Sequence, residues 1–296
     1  MDESPLRLHL HLISDSTGET VTTVARAAVS QFEDVVPVEH VWFFLRSRAQ
    51  LDRVLTIVEQ LPGMVVYTLV SPELRSLLQE RCHQLKIPCV PVLDAVMGEL
   101  TALLGSAGRP QIGRQHAMDD GYYGRIAAMD FAMRHDDGQY PDELEDADVV
   151  LVGVSRTSKT PTCVYLANKG VKAANVPLVP DLPQLPYLER LKRPLVVGLT
   201  INPDALVHIR RNRQKMMGVA DDDAGRFGGD YAEIKRVKEE LVVARRLYAK
   251  HGWTEIDVTK RSVEETAAAV YQMVQARRDP AFGDLVASPF GTPANA

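Results

Sequence analysis

Short apolar segments alternate with amphipathic helical segments along most of the chain, and this alternation constrains the fold more than any other feature of the sequence. In residues 6–14 every second side chain is apolar, and residues 19–32 then carry apolar side chains at helical spacing. Further strand-like segments at 38–45, 64–70 and 89–93 are each followed by a helical segment. Strands that alternate with helices form parallel βαβ units. The sequence therefore predicts the α/β class, with an N-terminal domain of βα repeats.

A second set of strands and helices begins near residue 146. The segment DADVVLVGV (146–154) is a continuous β-branched run, which is typical of a strand buried on both faces of a parallel sheet. A capping box of Ser262 and Glu265 indicates where the last helix begins. Further strands are predicted at 174–179, 194–201 and 253–259.

The strand at 146–154 leads into GVSRTSKT, which fits the phosphate-binding pattern G-x-x-x-x-G-K-[ST] except that Ser158 replaces the second glycine. In such a loop successive backbone N–H groups surround an anion, and the following helix directs its positive end at the same anion. We expect Lys159 to neutralise the terminal phosphate and the Thr160 hydroxyl to ligate Mg²⁺. The alternative is a solvated strand–helix turn with a surface lysine. The predicted nucleotide-binding residues are Gly153, Val154, Ser155, Arg156, Thr157, Ser158, Lys159 and Thr160.

The chain lacks a clear second metal ligand of the kind that many phosphate-loop proteins place at the end of a neighbouring strand. The strand at 194–201 carries Thr200 where an aspartate would be expected, and Asp181 and Asp257 are not persuasive substitutes. The fold class is therefore predicted as an N-terminal βα-repeat domain plus a C-terminal P-loop kinase-like domain with a parallel sheet.

These patterns divide the chain into four predicted regions. They are an α/β domain at 1–104, a linker with one helix and the HDDG sequence at 105–145, the P-loop nucleotide-binding domain at 146–278 and a flexible tail at 279–296. A Gly/Asp-rich stretch at 217–229 is expected to form a mobile lid.

Composition and charge exclude several classes of protein. Lys and Arg number 34 against 39 Asp and Glu, a net charge of −5, so the broad basic surface of a nucleic-acid binder is absent. No apolar run reaches the roughly 18 residues of a membrane span, and residues 1–14 do not resemble a signal peptide. Three cysteines, Cys82, Cys89 and Cys163, favour reduced thiols in or near cores rather than a disulfide framework or a zinc site. A cytoplasmic protein is expected.

Three other segments carry residues suited to phosphate chemistry. Residues Ser14, Asp15, Ser16, Thr17 and Gly18 lie at a strand-to-helix junction, where hydroxyls and a helix N-terminus can bind an anion. The alternative for this segment is simple helix capping by Ser16 or Thr17.

The sequence HDDG offers His135, Asp136 and Asp137, and a carboxylate near a transferred phosphate can orient or deprotonate a hydroxyl nucleophile. The alternative is a turn that ends a helix. In HIRRNR, Arg210 and Arg213 are spaced to share one helix face, where arginine side chains suit phosphate oxygens or form an ordinary solvated surface.

Taken together, these residues resemble the bifunctional regulatory proteins of pyruvate, phosphate dikinase and of phosphoenolpyruvate synthase, over about residues 8–276. The GVSRTSKTP form is more similar to the dikinase branch, and the family accepts Gly or Ser where Ser158 stands. Five blocks in the same order carry the resemblance: ISDSTGET (13–20), RIAAMDFAMRHDDG (125–138), ADVVLVGVSRTSKTPTCVYLANKGVKAANVPLV (147–179), GLTINPDALVHIRRNR (198–213) and IDVTKRSVEETA (256–267).

The resemblance implies two opposed activities. Such proteins use ADP to phosphorylate a threonine beside the catalytic histidine of their target, which inactivates it. They remove the same phosphate with inorganic phosphate and release pyrophosphate. The resemblance places the nucleotide on Gly153–Thr160 and implies pyruvate, phosphate dikinase as the partner, with phosphoenolpyruvate synthase as the alternative. It implies neither a nucleic-acid partner nor a membrane, and it leaves room for a homo-oligomer.

In such a mechanism Lys159 and the loop amides would stabilise charge on the transferred phosphoryl group, and Asp136 or Asp137 would position the hydroxyl. The segment 14–18 or the pair Arg210 and Arg213 are candidates for a second site that holds orthophosphate. Three other functions compete with this one: a P-loop kinase of a small metabolite, an ADP-sensing module that inhibits its partner by binding alone, and a nucleic-acid binder, which the acidic balance disfavours.

Overall fold

A computed structural model of the chain describes residues 6–106, 108, 111–114, 120–179, 185–216 and 233–279. Contacts within it divide the chain into two compact units, Met1–Ala117 and Met118–Ala296. Each unit contains one four-stranded sheet, and all strand pairs in both sheets are parallel. The α/β fold class is therefore confirmed.

The first unit has the sheet order β2-β1-β3-β4, so the chain reverses its direction of travel across the sheet between β1 and β3. A core on one face of the sheet contains Leu51, Leu55 and Leu78 and is continuous with Ile13 and Tyr67 of the strands. The elements are β1 (Leu6–Ser14), α1 (Glu19–Val29), β2 (Val35–Trp42), α2 (Arg48–Gln60), β3 (Met64–Thr68), α3 (Pro72–Gln84), β4 (Cys89–Pro91) and α4 (Asp94–Leu104).

The second unit has the sheet order β6-β5-β7-β8, with the fully buried strand β5 near its centre. Its elements are α5 (Asp120–Arg134), β5 (Val149–Gly153), α6 (Lys159–Asn168), β6 (Ala173–Pro177), α7 (Leu185–Leu188), β7 (Leu195–Thr200), α8 (Pro203–Met216), α9 (Ile234–His251), β8 (Thr254–Asp257) and α10 (Val263–Arg278). Two short 3₁₀ turns, Asp136–Gly138 and Pro141–Asp146, connect α5 to β5.

Helix α5 and the Asp136–Gly138 turn belong to the second unit, although the sequence placed them in a linker. The turn contacts β6, the edge strand of the second sheet, through a hydrogen bond from Asn175 N to His135 O. The predicted lid at 217–229 and all but the first residue of the predicted tail at 279–296 lie outside the described residues.

Strand β2 differs from its predicted position at 38–45 by three residues. The apolar run Trp42–Leu45 continues past the end of the strand into a loop, where Phe44 has a φ of 56°. The side chain of Leu45 is buried in the core, and Phe43 packs beside Gly18, so these residues are apolar because the loop is packed. Among the described residues, no helix has the length and apolar character that crossing a membrane requires.

Candidate active site

The predicted phosphate loop, Gly153–Thr160, begins where the buried strand β5 ends. All five residues of β5 are buried between its parallel neighbours β6 and β7. At its last residue, Gly153, a Cβ atom would lie 2.8 Å from the carbonyl oxygen of Leu199 and 2.9 Å from the Thr157 hydroxyl oxygen. Any other residue at this position would therefore force the loop away from the sheet. The glycine lets the chain turn directly over the strand end.

The loop reaches the start of α6 through two residues in left-handed backbone conformations. Arg156 has a φ of 74°, and Ser158, which takes the place of the usual second glycine, has a φ of 60°. Ser158 is the N-cap of α6, and no side chain caps the helix. In the part of the chain that the structure describes, the N–H groups of Lys159 and Thr160 in the first turn therefore have no side-chain acceptor. Such uncapped amides at a helix N-terminus suit an anion.

Lys159 is held against the loop backbone rather than extended into solvent. Its side chain is 5% exposed, and Nζ donates to the carbonyl oxygen of Val154 at 3.0 Å. The Thr157 hydroxyl donates to the same oxygen, also at 3.0 Å. Burial lowers the pKa of the Lys159 ammonium to about 8, against the opposing attraction of the nearby carboxylates, Asp137 first. The loop thus contains a cation whose charge titrates close to neutral pH.

Thr160, next along the chain, lies beside the HDDG turn. Its hydroxyl donates to Asp136 Oδ1 at 2.9 Å. Asn175, on β6, donates through Nδ2 to the same carboxylate oxygen at 2.6 Å and to the Thr160 hydroxyl at 2.9 Å. The structure therefore brings the Asp136 carboxylate next to the Thr160 hydroxyl. In P-loop proteins, an aspartate at the end of a neighbouring strand occupies the corresponding position beside the loop threonine. Here the aspartate precedes β5 in sequence, so a search of the later strands does not find it.

The two residues that flank Asp136 in the HDDG sequence, His135 and Asp137, occupy different surroundings. Asp137 is exposed, has a φ of 51°, and lies with Oδ1 3.4 Å from Asn175 Nδ2. The His135 ring is fully buried, stacks on Phe131 and hydrogen-bonds to the Phe131 carbonyl oxygen through Nδ1. The Asp137 carboxylate is thus accessible to a substrate. The His135 imidazole lies in the core instead, where it supports the turn.

The oxygen-rich cluster of Asp136, Asp137, Thr160 and Asn175 fits the requirements of Mg²⁺. This ion prefers oxygen ligands and is usually held by one or two carboxylates together with substrate phosphates and waters. Within the described parts of the chain, no group of three or more His, Cys, Asp or Glu residues is arranged to hold a metal by itself. The Asn175 Oδ1 atom is buried and has no hydrogen-bond partner there. This donor set therefore suits a cation that takes some of its ligands from the protein and the others from a bound nucleotide.

Arg210 and Arg213 do not share an environment, although both lie on α8. Arg210 is 1% exposed, forms an ion pair with Glu240 of α9 at 2.6 Å and donates to the Ser155 carbonyl oxygen at 3.3 Å. Arg213 is exposed. The prediction of a paired arginine face is therefore wrong, because Arg210 points into the structure and supports the backbone of the phosphate loop.

In the segment 14–18, all residues except Thr17 line a cavity of about 130 Å³ at the carboxyl ends of β1 and β3 in the first unit. Gly18, with a φ of 74°, is the N-cap of α1 and has no side chain with which to cap the helix, so neither Ser16 nor Thr17 occupies the cap position that the alternative interpretation of this segment gave them. Asp15 is 3% exposed and accepts a hydrogen bond from Val70 N, and burial raises the pKa of its carboxyl. In parallel sheets, ligands bind where the strand order reverses, as it does here.

Comparison with known proteins places the chain in a family. The model of a family described as kinase/pyrophosphorylase matches residues 10–271. The chain belongs to the kinase/pyrophosphorylase family. Its relatives include proteins named pyruvate, phosphate dikinase regulatory protein from Sphingopyxis alaskensis (50% identical, covering 92% of this chain and 98% of the relative) and Rhodospirillum rubrum (52%, covering 89% and 94%). The same name is carried by a relative from Caulobacter vibrioides (48%, covering 91% and 84%).

Membership of the kinase/pyrophosphorylase family confirms the resemblance found in the sequence and shows that the chain is a phosphotransferase. The sequence did not single out Asn175. The available signal was a lone amide within the otherwise apolar strand segment AANVP. A buried polar side chain in such a strand requires hydrogen-bond partners, and these partners lie in the candidate site.

Proposed function

We propose that this protein phosphorylates a threonine of pyruvate, phosphate dikinase with ADP, and removes the same phosphate with orthophosphate to give pyrophosphate. The observation that carries the proposal is the contact between Thr160 of the phosphate loop and Asp136 of the HDDG turn. It joins the predicted nucleotide-binding loop to the first of two adjacent aspartates in a chain of the kinase/pyrophosphorylase family. The choice of target follows the names of relatives that are about half identical to this chain.

In the kinase direction the loop holds the terminal phosphate of ADP. The uncapped amides at the start of α6 and the Lys159 ammonium stabilise the negative charge of the transferred group, which is the main task of a protein in phosphoryl transfer. The threonine oxygen forms a bond to the β-phosphorus, and the bond from that phosphorus to the bridging oxygen breaks, so AMP leaves. Asp137, which is exposed beside Asn175, accepts the hydroxyl proton.

Asp136 and Thr160 are the residues that would hold Mg²⁺ in this site. The ion would supply additional charge stabilisation at the phosphate oxygens. The hydrogen bond between these two side chains keeps both oxygens in place before the nucleotide binds. Lys159 lies close enough to the aspartates for their charges to raise its pKa against burial, so the site combines one cation of the chain with two carboxylates.

In the reverse direction an orthophosphate oxygen attacks the phosphorus of phosphothreonine, and the threonine oxygen leaves and takes a proton. The products are pyrophosphate and the free hydroxyl. We propose that orthophosphate binds in the cavity lined by Ser14, Asp15, Ser16 and Gly18, where the Ser14 hydroxyl and the backbone N–H groups at the start of α1 offer donors. As part of the same proposal, both reactions take place in the cytoplasm, where the three free cysteines remain reduced.

The test combines the purified full-length protein with pyruvate, phosphate dikinase and ADP. Mass spectrometry is expected to find one phosphothreonine on the dikinase, with loss of its activity and release of AMP. Orthophosphate is then expected to remove the phosphate and to yield pyrophosphate. If the dikinase gains no phosphate while small metabolites or phosphoenolpyruvate synthase do, the proposed target is wrong. If the dikinase is inhibited without modification, the protein acts by binding alone.

A further inference from the structure

Asn175 is a buried amide in a strand whose other side chains are small or apolar. Its residue is 1% exposed, and it lies at the middle of β6, opposite Leu151 of β5. Burying an amide without partners costs free energy, so such a residue persists where its hydrogen bonds are needed. Its partners therefore indicate what the amide does.

The side-chain amide closes a triangle of hydrogen bonds in the candidate site. Asn175 Nδ2 lies 2.6 Å from Asp136 Oδ1 and 2.9 Å from Thr160 Oγ1, and these two oxygens lie 2.9 Å from each other. The amide has only two N–H groups, and each has an acceptor in this triangle. The geometry of the pair that we assign to Mg²⁺ therefore depends on one amide behind it.

The backbone of the same residue anchors the turn that supplies Asp136. Asn175 N donates to His135 O at 3.0 Å, so β6 binds the turn through the main chain as well as the side chain. A single residue thus fixes both the path of the turn and the orientation of its first carboxylate. The Asn175 Oδ1 atom, buried and without a hydrogen-bond partner among the described residues, remains as a further oxygen in the cluster.

We propose that Asn175 is a positioning residue for the divalent cation that accompanies ADP. It holds the Asp136 carboxylate against the Thr160 hydroxyl so that both oxygens are presented together. The inference rests on the proposed function for the identity of the nucleotide, but not for the identity of the target. Residues that orient metal ligands in this way typically change metal affinity by about 10- to 100-fold when they are replaced.

The experiment measures ADP binding by calorimetry at a series of MgCl₂ concentrations, starting with EDTA, for the full-length protein and two variants. Asn175→Ala removes the amide, and Asn175→Leu keeps the side-chain volume while removing both polar atoms. We expect the half-saturating Mg²⁺ concentration to rise about 10-fold in each variant, with ADP affinity in EDTA changed less than about twofold. Asn168→Ala, an exposed asparagine on α6, is the matched control and is expected to behave as wild type.

An unchanged Mg²⁺ requirement in a variant that has merely lost thermal stability would show that Asn175 is only structural. A second measurement needs no variant: in the wild-type protein saturated with ADP, the side-chain amide NMR signals of Asn175 are expected to shift when MgCl₂ is added. Signals that stay in place overturn the proposal even if both variants fail to fold. Because neither measurement includes a target protein, failure of the dikinase to be phosphorylated would leave these results intact.

Discussion

At the scale of single residues, Lys159 combines two properties that usually exclude each other: a buried side chain and a required charge. Desolvation disfavours the ammonium, and the loop carbonyl and nearby carboxylates offset only part of that cost. The pKa of about 8 means that a moderately alkaline solution removes the charge from the free protein.

We therefore expect kcat/KM for ADP to fall as the pH rises through about 8, because this ratio reports groups of the free enzyme. Bound phosphate stabilises the ammonium, so kcat should keep its value to a higher pH than kcat/KM. Steady-state rates between pH 6.5 and 9.5 test the prediction. A kcat/KM that stays level across this range would mean that the ammonium does not bind the nucleotide.

Replacing the lysine is expected to lower both activities strongly while the fold survives. Each charge-assisted hydrogen bond to phosphate contributes roughly 1.5–3 kcal/mol, so Lys159→Met should lower kcat/KM for ADP about 10- to 150-fold for each such hydrogen bond that the ammonium makes. Lys169→Met, at the exposed end of the same helix, is the control. Equal activity in the two variants would remove the phosphate loop from the mechanism.

At the scale of elements, helix α8 supports the phosphate loop from behind. Arg210 links the Ser155 carbonyl oxygen to Glu240 of α9, so the loop, α8 and α9 share one buried guanidinium. Removing one partner of such a pair leaves the other charge unpaired, although Glu240 is a quarter exposed, which reduces the cost through solvent screening.

We expect Arg210→Ala to lower the free energy of unfolding by about 1–3 kcal/mol and to slow phosphoryl transfer about tenfold, with a smaller loss of ADP affinity. The reason is that the loop loses its support while its donor groups remain. Thermal unfolding, calorimetric ADP binding and single-turnover rates separate these effects. Arg213→Ala should match wild type in all three, and a comparable loss there would mean that the helix surface, rather than the buried pair, matters.

Strands β1 and β2 carry a stack of three histidines. His40 lies between His9 and His11, with ring centroids 5.1 and 4.7 Å away, and His11 is fully buried. Burial, followed by the neighbouring imidazoles, lowers the pKa of His11 despite its hydrogen bond to Leu61, and burial also lowers that of His40. A folded pKa below the unfolded value means that protons bind the unfolded chain more tightly.

The first unit should therefore keep its full stability above the ordinary histidine pKa of about 6.5 and lose stability as the pH falls below it. Trp42 and Trp253 are the two tryptophans of the chain, one in each unit, so Trp253→Phe leaves Trp42 as the reporter for the first unit. Urea unfolding followed by Trp42 fluorescence at pH 7.5 and pH 5.5 tests this prediction. His11→Gln in the same background should show a smaller difference between the two pH values.

At the scale of the whole molecule, each unit has its own sheet and its own core. The hydrogen bonds that join the phosphate loop to the HDDG turn, to β6 and to α8 all lie within Met118–Ala296. We expect thermal unfolding monitored separately by the two tryptophans to give two distinct midpoints, and ADP to raise the midpoint that Trp253 reports more than the other. Equal shifts of both midpoints would show that the two units unfold as one.

Much of the fold could be predicted because strands that pack against a core carry apolar side chains in simple patterns. The alternating apolar side chains at 6–14 locate β1, the continuous apolar run at 146–154 locates the fully buried β5, and Ser262 with Glu265 forms the expected capping box. The packed loop residues Phe43 and Leu45 are apolar as well, so the pattern extends the predicted strand past the end of β2.

The candidate phosphate loop could be proposed from the sequence because its pattern is local. The partners Asp136 and Asn175 could not be paired from sequence, since they lie 39 residues apart and meet only when the HDDG turn docks on an edge strand. The sequence singled out Arg210 because of its residue type. Its burial depends on the ion pair with Glu240 of α9, and the spacing of residues along α8 does not predict that contact.

The hydrogen bond from Asn175 N to His135 O also affects how the chain behaves among other polypeptides. An edge strand presents unpaired backbone groups that can template addition of a strand from another molecule. Here the backbone N–H of Asn175, in the middle of β6, already donates to the His135 carbonyl of the same chain. This N–H group is therefore not available to a strand of another molecule. The turn that carries Asp136 thus also occupies one of the backbone donors through which a strand of another molecule could pair with this edge.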